Sequence, residues 1–203
     1  MASVFPNNPL GALPPETVKV FRLLERLPGD DEAIVAPNLQ HMPGGAPPHI
    51  LTLDSEQDEI AQVMNEIRAL HGRGVPLEHI LILHADWQGA ERMQERLRRE
   101  FGAAAVADPK TAAPGKHIRV CTLNAATGLE SPVVFVMGAH RMCEAEQSVR
   151  LSEEERAELV RDNTRKLYMA FTRAGQRLAI TYVGDLPDVF RRLNAGASAP
   201  VFT

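Results

Sequence analysis

The sequence predicts an α/β fold of three layers, in which a mostly parallel sheet carries helices on both faces. Three observations predict it. The runs Ile80 to Leu83 (ILIL) and Val133 to Met137 (VVFVM) are apolar at every position, as in strands covered on both sides. Other stretches place apolar residues at every third or fourth position, which marks helices with one buried face. The two kinds of pattern alternate along the chain, as they do in βαβ units.

Residues 1–14 hold Pro6, Asn7, Asn8, Pro9 and Gly11 and read as a flexible lead-in. Residues 15–203 read as one domain. Pro15 suits a first helical position, and Val18, Phe21, Leu24 and Leu27 form an apolar face that Pro28 and Gly29 end. Ala33 to Val35 suits a short strand, and Pro37 to Pro48 a loop. His49 to Leu53 is the next strand. Ser55 with Asp58 three residues on is a variant capping box, opening a helix that buries Ile60, Val63, Met64, Ile67 and Leu70. Gly72 and Gly74 stop it. After ILIL, a helix from Gln88 to Phe101 turns Ala90, Met93 and Leu97 inward. Ala103 to Val106 suits a short strand, and Pro109 to Gly115 a flexible connection. Ile118 to Leu123 and VVFVM are strands. Ser152 and Glu155 form a capping box before a long helix. Arg177 to Val183 is the last strand, followed by a short helix at Pro187 to Leu193.

The bulk numbers limit the function. A net charge of -4 excludes a generally basic nucleic-acid binder but leaves room for a local basic groove. Cys121 and Cys143 have no metal-site spacing and suit a reducing, cytoplasmic compartment. The seven histidines form no ligand pair. No apolar run approaches membrane-spanning length, so no membrane partner is expected.

Two stretches can carry chemistry. At Thr172-Arg173-Ala174 a charged helix gives way to a strand. An arginine there either serves the negative helix end or reaches a phosphate with its planar fork of donors. At Asn124 to Glu130 (NAATGLE), small residues and Gly128 let backbone N–H groups approach a ligand, and Glu130 can accept from a sugar hydroxyl. A plain connection with a glycine turn explains the same residues.

Three longer runs resemble known motifs. Ile118 to Val136 (IRVCTLNAATGLESPVVFV) resembles motif V of superfamily 1 helicases of the UvrD/Rep type. Arg165 to Ala174 (RKLYMAFTRA) resembles their motif VI, and Ile80 to Arg98 their motif IV with its helix. Order, spacing and context agree over about half of the chain. The resemblance implies the second, C-terminal RecA-like lobe of a helicase, in which two lobes clasp ATP and single-stranded DNA crosses their top. It implies that Arg173 is the arginine finger on the γ-phosphate, that Glu130 binds the ribose with Gly128 admitting the nucleotide, and that Thr122 and Asn124 lie near the DNA backbone. Tyr168 would pack at the lobe interface, and Arg165 would form an ion pair or be solvated. The implied partners are a first RecA-like lobe, single-stranded DNA, and ATP with Mg²⁺.

The sequence also departs from that pattern. Where the family has an aromatic and a γ-phosphate arginine in motif IV, this chain has His84 and Ala85. The motif V histidine and lysine are replaced by Asn124 and Thr127, and Ser131 replaces an aromatic. No GxxxxGKS/T loop occurs in the 203 residues, so they hold half of an ATP site. The alternative reading is a degenerate lobe acting as a non-catalytic nucleic-acid or protein interaction module.

Other residues carry structural expectations. His84 reads as a packed strand-end histidine, Trp87 as a packing residue and Cys121 as core. Arg92, Arg96, Arg98 and Arg99 interleave with Glu91, Glu95 and Glu100 as a solvated face. Because ligands of open parallel sheets sit at the carboxyl ends of strands, the loops after Leu83, Leu123, Val136 and Val183 are expected to hold the chemistry, with Arg173 on the same edge.

Overall fold

A computed structural model describes residues 48–107 and 115–185. The expected lead-in, the Pro15 helix, the Ala33 to Val35 strand, the terminal helix and nearly all of the Pro109 to Gly115 connection lie outside those residues. Among these residues six strands form one sheet: β1 (His49–Leu53), β2 (Ile80–His84), β3 (Val106–Ala107), β4 (Ile118–Thr122), β5 (Ser131–Met137) and β6 (Ala174–Val183). Their order is β1-β6-β5-β2-β4-β3, and each pairing is parallel.

Among the described residues four helices cover the sheet: α1 (Glu56–Gly72), α2 (Trp87–Phe101), α3 (Ala139–Glu146) and α4 (Glu153–Phe171). Successive strand residues point to opposite faces, which explains the all-apolar runs. Ile80, Ile82, Val133 and Phe135 join Met64, Ile67, Met93 and Leu97 of α1 and α2 in one core layer. Leu81, Leu83, Val134 and Val136 join Met142, Leu167, Ala170 and Phe171 of α3 and α4 in the other. The three-layer α/β/α expectation therefore holds, and the core is split evenly by the sheet.

Capping follows the sequence. The Ser55 side chain accepts from the Asp58 N–H and heads α1. Ser152 and Glu155 bond each other's backbone reciprocally at the start of α4. Three elements differ from expectation. Ala103–Ala105 forms a 3-10 turn, and the strand is reduced to Val106–Ala107, since three alanines bring no β-branched packing surface. Helix α3 has no counterpart in the sequence reading. It is short, and its N-cap is Gly138 at φ 73 with no side-chain cap, so no Ser, Thr, Asp or Asn announces it. Strand β6 begins at Ala174, three residues earlier than its apolar run.

The crossovers position the functional residues. The chain leaves β2 for α2 on one face and leaves β5 toward α3 and α4 on the other. Neighbouring strands β2 and β5 thus mark the topological switch point, where the Ala85 N–H donates to the Met137 carbonyl at 2.9 Å. Strand β4 reaches β5 without a helix. Residues 123–130 start with a 3-10 turn at Leu123–Ala125, pack against α4, and return from the carboxyl edge of the sheet to its amino edge.

Candidate functional site

The return crossover separates the candidate residues into two groups. Thr122 and Asn124 stay at the carboxyl edge, where β4 ends. Gly128, Leu129 and Glu130 arrive at the amino edge, just before β5 begins, beside Arg173, just before β6 begins. A seven-residue strand separates these edges by about 20 Å.

At the amino edge the local geometry is set by α4. Its last turn closes at Phe171 with Thr172 as C-cap, and the helix ends on its own carbonyls rather than on a glycine. Arg173 turns its guanidinium back onto that end. Nε donates to the Met169 carbonyl at 3.0 Å, Nη2 to Thr172 Oγ1 at 3.0 Å and Nη1 to the Leu129 carbonyl at 3.4 Å. Thr172 Oγ1 in turn donates to the Met169 carbonyl at 2.7 Å. An arginine has five N–H donors. Three are used here, all on neutral acceptors, and no described carboxylate pairs with Arg173. The cation is therefore fixed in direction and half-buried, and among the described residues no neighbouring acid compensates its charge.

The loop beside it is fixed from two sides. The Ser131 N–H donates to the Arg173 carbonyl at 3.0 Å. Arg119, on β4, donates from Nη2 to the Glu130 carbonyl at 2.7 Å. Burial pushes the Arg119 guanidinium below its ordinary value, against a smaller opposing effect of Cys121. Gly128 has φ +77, and nothing lies within 4 Å of where a Cβ would project. Its peptide therefore faces open space in a conformation that other residues rarely adopt. The Glu130 side chain is exposed. Ser131 is buried, and its Oγ donates to the His79 carbonyl at 2.7 Å. An aromatic in its place would have to displace that contact.

The carboxyl edge carries a different chemistry. His84 is 3% exposed, and its ring lies where a Cβ on Gly89 or Gly138 would stand. Its Nδ1 accepts the Asp86 N–H at 3.1 Å. Desolvation lowers its pKa despite the opposing carboxylates of Asp86 and Glu59. Glu59 is 1% exposed and accepts from the Gly138 N–H at 2.8 Å and from Thr181 Oγ1. Around this core, Arg141 pairs with Glu56 and, at 3.2 Å, with Asp86; Arg92 reaches Glu56 at 3.1 Å. Burial alone would raise the Asp86 carboxyl, but the Gly89 N–H, His84, Arg141 and Arg92 hold it below its ordinary value.

These placements correct three expectations. The switch-point crevice, the usual ligand site of such sheets, is filled by His84 and the charged groups around it. Ala85, the position of the missing motif IV arginine, lies at the carboxyl edge, whereas Arg173 lies at the amino edge, so the two do not share one edge. Trp87 is not packed: it is 66% exposed. His84 and Cys121 are buried as expected, and Arg165 is solvated. The solvated arginine face forms with one local pair, Arg99 to Glu95, while Arg68 of α1 captures Glu100 across helices. Tyr168 is half-buried against the core between the sheet, α3 and α4.

Sequence reasoning missed Arg119, Glu59 and Arg141. Arg119 is a single charge inside a strand pattern, and the only signal was its place between two buried positions, Ile118 and Val120. Glu59 is buried and Arg141 is half-buried, each on a helix and with partners far along the chain.

No family model matches the sequence, and no curated protein matches it. Among solved structures, the chain is similar to the C-terminal domain of a possible DNA helicase from Lactobacillus plantarum WCFS1. The TM-score is 0.61 at 18% identity, with 96% of each chain covered. The fold is RecA-like. At that identity the likeness is one of architecture, and it extends over nearly the whole of both domains. Among the described residues no helix is long and apolar enough to cross a membrane, and no group of His, Cys, Asp and Glu is arranged to hold a metal ion.

Proposed function

We propose that this chain is the C-terminal RecA-like lobe of an ATP-dependent DNA helicase or translocase of the UvrD/Rep type. Its amino edge completes an ATP site whose phosphate-binding loop and Mg²⁺ belong to a first lobe. The observation that carries the reading is the state of Arg173. Its guanidinium is aimed by three neutral acceptors and, among the described residues, keeps two N–H donors unspent and has no carboxylate partner. Preorganised charge of this kind acts where negative charge develops, with no reorganisation at the moment of reaction.

The neighbouring groups fit a nucleotide. Gly128 leaves open space for close approach of a ligand to the backbone, and the exposed Glu130 carboxylate can accept from ribose hydroxyls. Arg119 and the Arg173 carbonyl hold the Glu130–Ser131 peptide from its two sides, which supports a fixed backbone position for Glu130. Thr122 and Asn124, across the sheet at the carboxyl edge, are the residues assigned to single-stranded DNA. Nucleotide and DNA would then bind at opposite edges of one rigid sheet, which lets closure of the first lobe on ATP move the DNA-bearing edge as a body.

The second reading, a non-catalytic interaction module, draws on Ala85 and Thr127, where two cations of the family pattern are absent. Reconstitution separates the two. Combined with a first lobe that supplies a phosphate-binding loop, the chain is expected to give DNA-stimulated ATP hydrolysis that neither lobe gives alone. Robust turnover by the 203 residues alone contradicts the divided site, and no turnover in the two-lobed assembly favours the interaction module.

A further inference from the structure

Trp87 is the single tryptophan of the chain. It occupies the first turn of α2, directly after the N-cap Asp86, and is 66% exposed. Tryptophan is the largest apolar side chain, and burying it is ordinarily worth more than burying any other. Here the inward face of α2 is already filled by Gly89, Ala90, Met93 and Leu97. The Gly89 position leaves no room either, because the His84 ring occupies it. The indole is therefore displaced outward by a packed neighbourhood, and the fold gains little from it.

Its surroundings define what it can hold. Trp87 follows the carboxyl end of β2, and β4 lies next to β2 with His84 opposite Thr122. Three residues past His84 comes Trp87, and two residues past Thr122 comes the exposed Asn124. A flat apolar face and an exposed amide thus flank one short length of sheet edge. The nearby charges are balanced: Arg92 is matched by Glu56, and Arg141 by Glu56 and Asp86. Such a surface offers stacking and neutral hydrogen bonds but little net attraction for phosphates.

From this we infer that Trp87 is a stacking platform for an unpaired nucleobase, with the amide of Asn124 contacting the same strand. The inference rests on the single-stranded DNA partner of the proposed function and names a contact that the motif resemblance does not supply. Every base has a π face, so the platform tolerates any sequence. Because the local charges cancel, the Trp87 contribution is independent of salt, unlike phosphate contacts, whose strength falls steeply with salt.

The chain's only tryptophan makes the test direct. The purified protein is titrated with a fluorescein-labelled oligothymidylate of about 15 nucleotides, near the upper site size of a single-strand-binding fold. Anisotropy of the label reads binding, and indole emission reads Trp87. Binding is expected to quench the indole, and Trp87→Ala is expected to weaken binding about 5- to 150-fold. That ratio is expected to stay constant between about 50 and about 200 mM salt. Trp87→Phe is expected to keep part of the affinity, and circular dichroism of both variants to match the parent. Binding without quenching, or without loss in Trp87→Ala, overturns the inference and leaves the DNA-binding reading in place. No binding at any salt overturns both. Emission that responds to protein concentration but not to the oligonucleotide assigns the indole to a protein surface and also overturns the inference.

Discussion

The Ser131 N–H donates to the Arg173 carbonyl at 3.0 Å, which ties the residue after Glu130 to the arginine at the head of β6. This bond belongs to the Ser131–Ala174 pair that begins the β5–β6 ladder, and a register shift follows before Val133 pairs with Arg177. The proposed ribose contact and the proposed arginine finger are thereby two ends of one backbone junction. A change that loosens the junction is expected to act on both.

Arg119 tests that junction from outside the ligand site. Arg119→Ala removes the hydrogen bond to the Glu130 carbonyl and exposes part of β4. The expected cost is about 1.5–3 kcal/mol in urea unfolding, the ordinary worth of a bond from a charged donor. In the two-lobed protein the Michaelis constant for ATP is expected to rise while kcat changes little, since Arg119 positions Glu130 and touches no reacting atom. A fall in kcat with an unchanged Michaelis constant would contradict the positioning role.

Ser131 explains one departure from the family pattern. It is buried on the His79 carbonyl at 2.7 Å. Ser131→Ala leaves that carbonyl short of a donor and is expected to cost about 1–2 kcal/mol. Ser131→Phe must also find room and is expected to cost more, by about 1–3 kcal/mol of overpacking. Equal stability of the two variants by urea denaturation would show that the site accepts the aromatic.

Gly89 is a packing requirement of the His84 ring. A Cβ there would lie 1.9 Å from the His84 ring, which is buried and has nowhere to move. Gly89→Ala is expected to lower the urea midpoint by more than Gly72→Ala, whose Cβ meets nothing within 4 Å. Two variants of equal midpoint would rule out the steric account.

Acid sensitivity follows from two histidines. Burial lowers the pKa of His84 from 6.5, against Asp86 and Glu59, and burial with Arg177 lowers that of His49. The unfolded chain then binds more protons below that value than the folded chain does, so stability is complete above about pH 6.5 and falls as pH drops below it. Glu66 and Glu146, whose carboxyls burial pushes up, act in the opposite sense nearer their ordinary 4.5. Between about pH 7.5 and about pH 5.5 the urea midpoint is expected to fall. His84→Gln is expected to flatten that slope, and an identical slope in the variant would remove His84 from the explanation.

The layers of the fold were legible because each buried strand declares itself locally. Leu81 and Ile82 face different helices yet are both apolar, so ILIL reads as a strand covered on both sides. The caps at Ser55 and Ser152 were legible for the same local reason. Helix α3 was not, because Gly138 replaces a side-chain cap. The amino-edge place of Arg173 follows from its position between a helix and the start of a parallel strand, which the carboxyl-edge expectation overlooked. That Gly128 and Glu130 join it there was not legible: it depends on residues 123–130 running back across the sheet without a helix, and an AATG loop carries no record of its direction. Trp87 was misread because its exposure is caused by the His84 ring at Gly89, a contact set by packing rather than by spacing.

The measurement that bears most directly on the account is kcat for DNA-stimulated ATP hydrolysis by the two-lobed protein carrying Arg173→Ala. An arginine finger acts on the transition state, so kcat is expected to fall by about 10³- to 10⁵-fold. The Michaelis constant for ATP is expected to change only a few-fold, and Arg173→Lys, which keeps the charge but loses the fork, to recover only part of the rate. Turnover within about threefold of the parent in Arg173→Ala would contradict the assignment of Arg173 and, with it, the catalytic reading of the amino edge.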